Sequence, residues 1–230
     1  QKDMWLMTSM KKKWVKRTII IVSVLLVVLI GAGVLVGNFF YELALNPHSD
    51  KSVVFQAPQN SMDYDDQTEN TQVASSIEGY KAWMESVDIV ERGMESADGL
   101  SLVAYEVRTE APSNLWAVLA HGYTGERMQM MSSGKRFYDA GYNLLVPDAR
   151  GHGKSEGDYV GMGWDDRLDY VAWVNQIVAE HPEAQIVLYG VSMGGGTVMM
   201  MSGEELPSNV KAIVEDCGYT SAWDEFSYQL

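Results

Sequence analysis

The sequence predicts an α/β fold in which a doubly wound, mostly parallel sheet follows an N-terminal transmembrane helix. Three observations support this prediction. Short, nearly continuous apolar runs recur through the second half of the chain, helical patterns fill the intervals between them, and one long uncharged apolar stretch lies near the N-terminus. Runs that are apolar on both faces are typical of central parallel strands covered by helices.

The uncharged stretch from Ile19 to Tyr41 is long enough to cross a membrane as a helix, since it would span roughly 34 Å. The basic segment "KKKWVKR" precedes it and Glu42 is the first charge after it. The positive-inside rule therefore predicts a cytoplasmic N-terminus and an outward-facing remainder at the cell membrane. A cleavable signal peptide is the alternative, but the site around Ala44 has Glu42 where a small residue is required. An uncleaved single-pass signal anchor over residues 18–41 is favoured.

Charge is distributed unevenly along the chain. Residues 1–17 hold six of the 17 Lys and Arg and one acid, so the remainder carries 11 basic and 30 acidic side chains. So acidic a surface argues against nucleic-acid binding, which needs Lys and Arg to displace counterions. Cys217 is the only cysteine, so an internal disulfide and a multi-cysteine zinc site are excluded. We expect no metal and no organic cofactor.

Composition divides the chain into four predicted segments. They are a basic cytoplasmic segment (1–17), the transmembrane anchor (18–41), an acidic linker (42–77) and a folded domain (78–230). A short strand over "SVVF" stays open within the linker. The segment "EGYKAWMES" is expected to form one short helix that opens the folded domain.

The folded domain begins with a predicted antiparallel hairpin, because "VDIVER" and "LSLVAYEVR" alternate in polarity on either side of a turn at Asp98-Gly99. Four apolar runs then predict parallel strands: "LWAVLA" (115–120), "YNLLVP" (142–147), "QIVLYG" (185–190) and "VKAIVE" (210–215). Helices are predicted over "ERMQMMSSGKRFYDAG", "WDDRLDYVAWVNQIVAEHP" and "MGGGTVMMMSG". Such an alternation places chemistry at the C-terminal ends of the strands.

Ser192 lies in the frame Gly190-x-Ser192-x-Gly194, directly after a predicted strand and before a helix. A nucleophile elbow requires this strand–turn–helix setting, and small residues on either side let the tight turn form. The alternative is a serine that caps a Gly-rich helix beside an ordinary turn. An earlier strand ends in "LAHGYTGE", which suits an oxyanion loop. We therefore predict the Ser192 hydroxyl as nucleophile and the backbone N–H groups of Tyr123 and Met193 as oxyanion donors.

The stretch "VPDARGHGKSEG" (146–157) also follows a predicted strand. Its Gly153-Lys154-Ser155 is similar to the end of a phosphate-binding loop, but the first glycine of that motif would fall at Asp148. Nucleotide binding is therefore excluded. Asp148 is expected to buttress its own loop.

The segments "HGYTGE", "PDARGHGKSEG" and "YGVSMGGGT", in this order and spacing, resemble the α/β-hydrolase superfamily. More narrowly, they resemble serine hydrolases related to monoglyceride lipases and the S33 aminopeptidases. "IVEDCGYTSAWDEF" and the N-terminal anchor are similar to membrane-anchored hydrolases of Gram-positive bacteria. The resemblance covers about residues 78–230. It implies Ser192 as nucleophile, Tyr123 and Met193 as oxyanion donors, and an ester, thioester or amide substrate that is a small molecule or a peptide.

The superfamily places its catalytic acid and then its histidine after the nucleophile, yet no histidine follows Ser192. Asp216, at the end of "VKAIVE", is a candidate acid, although the acid more often follows the next strand. The four histidines are assigned to other roles: a solvated linker residue (His48), braces of two loops (His121 and His152) and a complement to a helix C-terminus (His181).

We therefore expect the triad histidine and acid to lie outside these 230 residues. The domain is expected to lack its last strands and all but the start of its cap, and to be inactive as written. The leading function is a surface-anchored serine hydrolase that forms an acyl-serine intermediate. Two alternatives stay open: a non-catalytic surface binding module of the same fold, and an acyltransferase that delivers the acyl group to an acceptor other than water.

Overall fold

The computed structural model describes residues 2–49 and 80–229, which fall into two compact units. In the first unit, helix α1 (Lys2–Phe40) is continuous and ends in a π-helical turn over Tyr41–Leu45. Its portion Trp14–Leu45 is long and apolar enough to cross a membrane. The predicted anchor lies within that portion. The possible strand at "SVVF" lies outside the described residues.

The second unit is a six-stranded sheet flanked by helices. Its strands are β1 (Ile89–Glu95), β2 (Ser101–Val107), β3 (Leu115–Ala120), β4 (Asn143–Pro147), β5 (Gln185–Val191) and β6 (Val210–Asp216). Its helices are α2 (described over 80–86), α3 (Met131–Asp139, preceded by a 3₁₀ turn over Arg127–Met130), α4 (Asp166–Glu180), α5 (Met193–Met201) and α6 (Ala222–Gln229).

The strands lie in the order β1-β2-β4-β3-β5-β6. β1 and β2 form the predicted antiparallel hairpin, whose turn contains Gly99 at φ +87°. β2 is antiparallel to β4, whereas β4, β3, β5 and β6 run parallel to one another. β3 and β4 are buried on both faces, as their continuous apolar runs predict. The doubly wound, mostly parallel sheet is confirmed.

The two faces of the sheet are covered by different helices. On one face, Leu119 and Leu144 pack in a core with Trp83 of α2 and Met131 of α3. On the other face, α5 packs against β3, β5 and β6, and α4 packs against α5. Because the four parallel strands all end at one edge of the sheet, the loops after β3, β4, β5 and β6 meet there.

A buried arginine joins the loop after β4 to two other elements. The Arg150 guanidinium binds both carboxylate oxygens of Asp169 on α4, at 2.8 and 2.9 Å, and both oxygens of Asp98 in the β1–β2 turn, at 2.9 and 3.2 Å. A paired guanidinium tolerates burial, whereas loss of a partner would leave an uncompensated charge in the interior. This cluster fixes where the loop after β4 begins.

Asp166, in the first turn of α4, is a fully buried carboxylate without a full set of partners. Its Oδ2 accepts a hydrogen bond from the Gly163 N–H at 2.8 Å, and its Oδ1 has no hydrogen-bond partner. Burial raises the pKa of Asp166 to about 6, with the nearby Asp169 adding to the effect and Arg150 opposing it. The folded state therefore binds this proton more tightly than the unfolded chain does.

We predict that Asp166→Asn removes a pH-dependent loss of stability. The pKa of Asp166 is higher in the folded state than in the unfolded chain. Protonation of Asp166 therefore stabilises the wild-type protein below about pH 4, and this stabilisation is lost as the pH rises through about 6. The unfolding free energy of the variant relative to wild-type should therefore rise by about 2.4 kcal/mol between pH 4 and pH 7. Urea unfolding of the full chain in detergent measures this difference at each pH.

Asp139→Asn, which removes an exposed carboxylate paired with Lys135, controls for the change in net charge. A difference between Asp166→Asn and wild-type that is constant over this pH range would contradict the prediction.

Candidate active site

Ser192 joins β5 to α5 in a strained backbone conformation, with φ +54° and ψ −116°. Its N–H donates to the Asp216 carbonyl at 2.8 Å, and its carbonyl accepts from the Gly196 N–H at 2.9 Å. The side chain makes no capping hydrogen bond and is partly exposed. The alternative of an ordinary helix-capping serine is therefore wrong. The elbow holds the residue by its backbone and leaves the hydroxyl accessible for chemistry.

The two glycines of the Gly-x-Ser-x-Gly frame are required by close backbone contacts. A Cβ at Gly190 would overlap the Gly194 carbonyl group, and a Cβ at Gly194 would overlap the Ala120 carbonyl group at the end of β3. Both overlaps are with backbone atoms, which cannot swing away as a side chain can. The frame in the sequence thus reflects the packing of the elbow against β3.

The loop after β3 lies directly beside Ser192. A Cβ at Gly122 would be 3.5 Å from the Cβ of Ser192. The loop is a tight turn in which the Gly125 N–H donates to the Gly122 carbonyl at 3.0 Å, with Thr124 at φ +60°. No sequence pattern marks a β-branched residue for this left-handed conformation, and Thr124 was not anticipated. The loop that contains Tyr123 therefore lies beside the turn that contains Ser192.

Met193 is the first residue of α5 and is buried. The N–H groups of the first helical turn have no acceptor within the helix, so the helix itself does not use the Met193 N–H. Both predicted oxyanion donors therefore belong to segments adjacent to Ser192.

His121 braces the loop after β3 against the loop after β4. Its Nε2 accepts a hydrogen bond from the Ala149 N–H at 2.9 Å, and its Nδ1 lies 2.8 Å from the Gly122 carbonyl oxygen. An amide N–H can only donate, so Nε2 is unprotonated and the proton is on Nδ1. Burial, reinforced by the His152 ring with its centroid 4.9 Å away, lowers the pKa of His121 to about 3. The ring is therefore neutral.

Asp148 buttresses its loop, as the sequence predicts. Its buried carboxylate accepts hydrogen bonds from the Lys154 N–H at 2.7 Å and from the Arg127 N–H at 2.8 Å. The Arg127 guanidinium is a further donor to the same carboxylate. Since Arg127 follows the loop after β3, Asp148 also ties the two loops together.

Asp216, the candidate acid, ends β6 at the same edge of the sheet as the elbow. It is paired in register with Val191, and its carboxylate Oδ2 accepts a hydrogen bond from the Tyr189 hydroxyl at 3.1 Å. The contact with Tyr189 was not anticipated. It depends on the register of β5 and β6, which places residues 189, 191, 214 and 216 on one face of the sheet.

The other histidines are engaged elsewhere. The His152 Nδ1 lies 3.0 Å from the Arg150 carbonyl oxygen. His181 follows α4, as predicted, and its Nε2 lies 2.7 Å from the Arg108 guanidinium, which can only donate. It stacks on Trp116 with ring centroids 5.4 Å apart. Within residues 80–229, no histidine nitrogen is hydrogen-bonded to the Ser192 hydroxyl.

A search of the described part of the chain for metal-binding clusters identifies no group of three or more His, Cys, Asp or Glu side chains that could hold an ion. Close to the Ser192 hydroxyl, this edge of the sheet presents the loop after β3, the first turn of α5 and the Asp216 carboxylate.

We predict that Gly194→Ala lowers the unfolding free energy by at least about 3 kcal/mol, because the added methyl group must displace the end of β3. Gly93→Ala is the matched control, since a Cβ at Gly93 in β1 meets no atom within 4 Å. It should change stability by no more than about 1 kcal/mol. Urea unfolding of the two variants in detergent gives the comparison, and equal stabilities would contradict the packing described here.

Comparisons with known proteins agree with this geometry. The model of the family described as serine aminopeptidase, S33, matches residues 112–219. The uncharacterized protein YqkD of Bacillus subtilis is 25% identical over 140 residues, which cover 59% of this chain and 44% of that protein. A monoacylglycerol lipase of Mycolicibacterium smegmatis is 34% identical over 101 residues, which cover 42% of this chain and 35% of the lipase.

Among solved structures, an esterase of Pyrococcus furiosus is similar, with a TM-score of 0.51 and 27% identity, over 58% of this chain and 51% of the esterase. The chain spans less than half the length of the curated relatives it matches. The sheet order and these matches identify an α/β-hydrolase fold.

Proposed function

We propose that this chain carries the nucleophile of a serine hydrolase that cleaves an acyl ester, thioester or amide. The observation that carries the proposal is the backbone of Ser192, which is strained, hydrogen-bonded on both sides and placed against Gly122 of the oxyanion loop. A strained backbone conformation persists only where the surrounding structure enforces it, and such residues cluster at active sites. The hydrolase named among the curated relatives and the esterase among the solved structures support the same reaction class.

In this proposal the Ser192 Oγ attacks the acyl carbon and passes its proton to a general base. The carbonyl electrons move onto oxygen, and the N–H groups of Tyr123 and Met193 stabilise the resulting oxyanion. Collapse of the tetrahedral intermediate breaks the bond to the leaving group, which takes the proton from the base. Water then hydrolyses the acyl-serine by the same two steps. One oxyanion donor contributes roughly 3–4 kcal/mol to the transition state.

The general base is proposed to be a histidine outside residues 80–229, since each histidine described within that range is engaged elsewhere. Asp216 stays a candidate for the acid, because its carboxylate lies at the correct edge of the sheet. Its hydrogen bond from Tyr189 leaves other lone pairs of the carboxylate to orient a histidine.

We predict that a fluorophosphonate probe labels the protein expressed from its complete coding sequence, and that Ser192→Ala abolishes the labelling. The probe forms its covalent bond only with an activated nucleophile. Ser202→Ala, which changes an exposed serine at the end of α5, should retain full labelling. In-gel fluorescence quantifies all three proteins.

Labelling that persists in Ser192→Ala would assign the nucleophile elsewhere. Absence of labelling in the wild-type would favour the non-catalytic binding module. For an active protein, product analysis with added alcohol or amine acceptors separates the hydrolase from an acyltransferase.

We further propose that helix α1 anchors the domain at the outer surface of the cell membrane. The aliphatic side chains from Ile19 to Val36 are exposed all around the helix, as suits contact with lipid. The six basic residues before the span favour a cytoplasmic N-terminus.

The single exposed cysteine, Cys217, makes the orientation measurable without introducing a reporter. We predict that a membrane-impermeant maleimide labels Cys217 on intact cells. In a Cys217→Ser background, Lys13→Cys should be labelled only after the cells are permeabilised, because it lies on the cytoplasmic side. Cys217→Ser alone gives the background signal. Labelling of Cys217 that requires permeabilisation would contradict the proposed orientation.

A further inference from the structure

We propose that His121 is a positioning residue that aims the Tyr123 N–H at the developing oxyanion. The inference rests on the proposed function, because the oxyanion forms only if Ser192 attacks an acyl carbonyl. Both ring nitrogens of His121 are bound to backbone groups, which leaves neither of them for the substrate or for Ser192. It acts through the peptide group that joins Gly122 to Tyr123.

The direction of that peptide group is set by its carbonyl. The peptide bond is trans, so its C=O and N–H point in opposite directions. Two donors hold the Gly122 carbonyl, namely the His121 Nδ1–H at 2.8 Å and the Gly125 N–H at 3.0 Å. The N–H of Tyr123 must therefore point out of the turn and away from the His121 ring. Since Gly122 lies against Ser192, a small rotation of this peptide plane would misdirect the N–H.

The imidazole is itself fixed from its other side. The Ala149 N–H, two residues after β4, donates to Nε2 at 2.9 Å, so the donor is forced onto Nδ1. The ring is 1% exposed and packs edge-on against His152. A chain of hydrogen bonds thus links Ala149, His121 and Gly122. It couples the position of the oxyanion loop to that of the loop after β4.

Loss of the His121 donor would not leave the Gly122 carbonyl unsatisfied, because the Gly125 N–H remains bound to it. The expected loss is one of orientation. An interaction that matters only when charge develops on the substrate oxygen changes kcat and leaves KM nearly unchanged. A fall in kcat with KM nearly unchanged therefore distinguishes a positioning role from a general effect on folding.

Two conservative variants test the two hydrogen bonds of the ring separately, because each variant retains only one of them. In His121→Asn an amide nitrogen takes the place of Nδ1 and can still donate to Gly122. In His121→Gln an amide oxygen reaches the place of Nε2 and can still accept from Ala149, but the donor to Gly122 is lost. The two side chains are similar in polarity, so each is a control for the other.

In the protein expressed from its complete coding sequence, His121→Asn should retain kcat for a p-nitrophenyl acyl ester within about threefold of wild-type. His121→Gln should lose roughly 30- to 100-fold in kcat with KM changed by less than about twofold. Thermal unfolding of both variants reports on folding. Equal losses of kcat in the two variants, or a parallel loss of stability and kcat, would overturn the proposal.

A second measurement does not depend on activity. Nitrogen-15 NMR of ring-labelled histidine in the full chain should show His121 as the neutral tautomer protonated at Nδ1 from pH 5 to pH 8, with the signal assigned by its absence in His121→Asn. A proton on Nε2, or a charged ring at pH 6, would overturn the positioning role. Absence of Ser192-dependent hydrolysis in the wild-type would instead contradict the proposed function, and the two failures are distinguishable.

Discussion

The backbone of Ser192 is the constraint on which the site depends. A non-glycine residue with φ near +54° costs on the order of 1–3 kcal/mol. The structure offsets this cost by binding both polar groups of the residue, the N–H by the Asp216 carbonyl of β6 and the carbonyl by the Gly196 N–H of α5. The elbow therefore requires β6 in parallel register with β5. The backbone geometry of Ser192 therefore depends on the sheet as well as on the local motif.

The loops beside the elbow are held mainly by buried polar groups. Asp148 collects three donors, Arg150 binds two carboxylates, and His121 uses both ring nitrogens. Apolar side chains could fill the same volume, but dispersion forces have no direction and would not fix the angle of a peptide plane. Hydrogen bonds in a poorly solvated interior are strong and directional, and each is costly to break. The proposed site depends on the direction of backbone N–H groups, and hydrogen bonds fix that direction better than apolar packing does.

Much of the fold follows from local patterns in the sequence. A few consecutive residues are enough to predict several elements. Apolar runs predict β3 and β5, and alternating polarity predicts the β1–β2 hairpin. Ser192 could be predicted as the nucleophile for the same reason, since its glycine frame lies within five positions. The left-handed Thr124 and the hydrogen bond between Tyr189 and Asp216 were missed, because each depends on residues brought together by strand register or loop packing. His181 was placed correctly at the end of α4, but its contact with Arg108, a residue distant in sequence, was missed.

The proposed mechanism has two parts, oxyanion stabilisation and proton transfer, which depend on different parts of the structure. Stabilisation of the oxyanion requires only N–H groups fixed by β3, α5 and the loop after β4, all of which the second unit contains. Proton transfer requires a base beside Ser192, and none of the histidines in residues 80–229 is hydrogen-bonded to that hydroxyl. Serine hydrolases that lose a triad residue keep roughly 10³- to 10⁴-fold catalysis over water through the oxyanion hole and substrate binding. In this proposal the oxyanion loop is preorganised independently of the base. His121 acts on oxyanion stabilisation because it sets the peptide plane that carries the Tyr123 N–H, one of the two oxyanion donors.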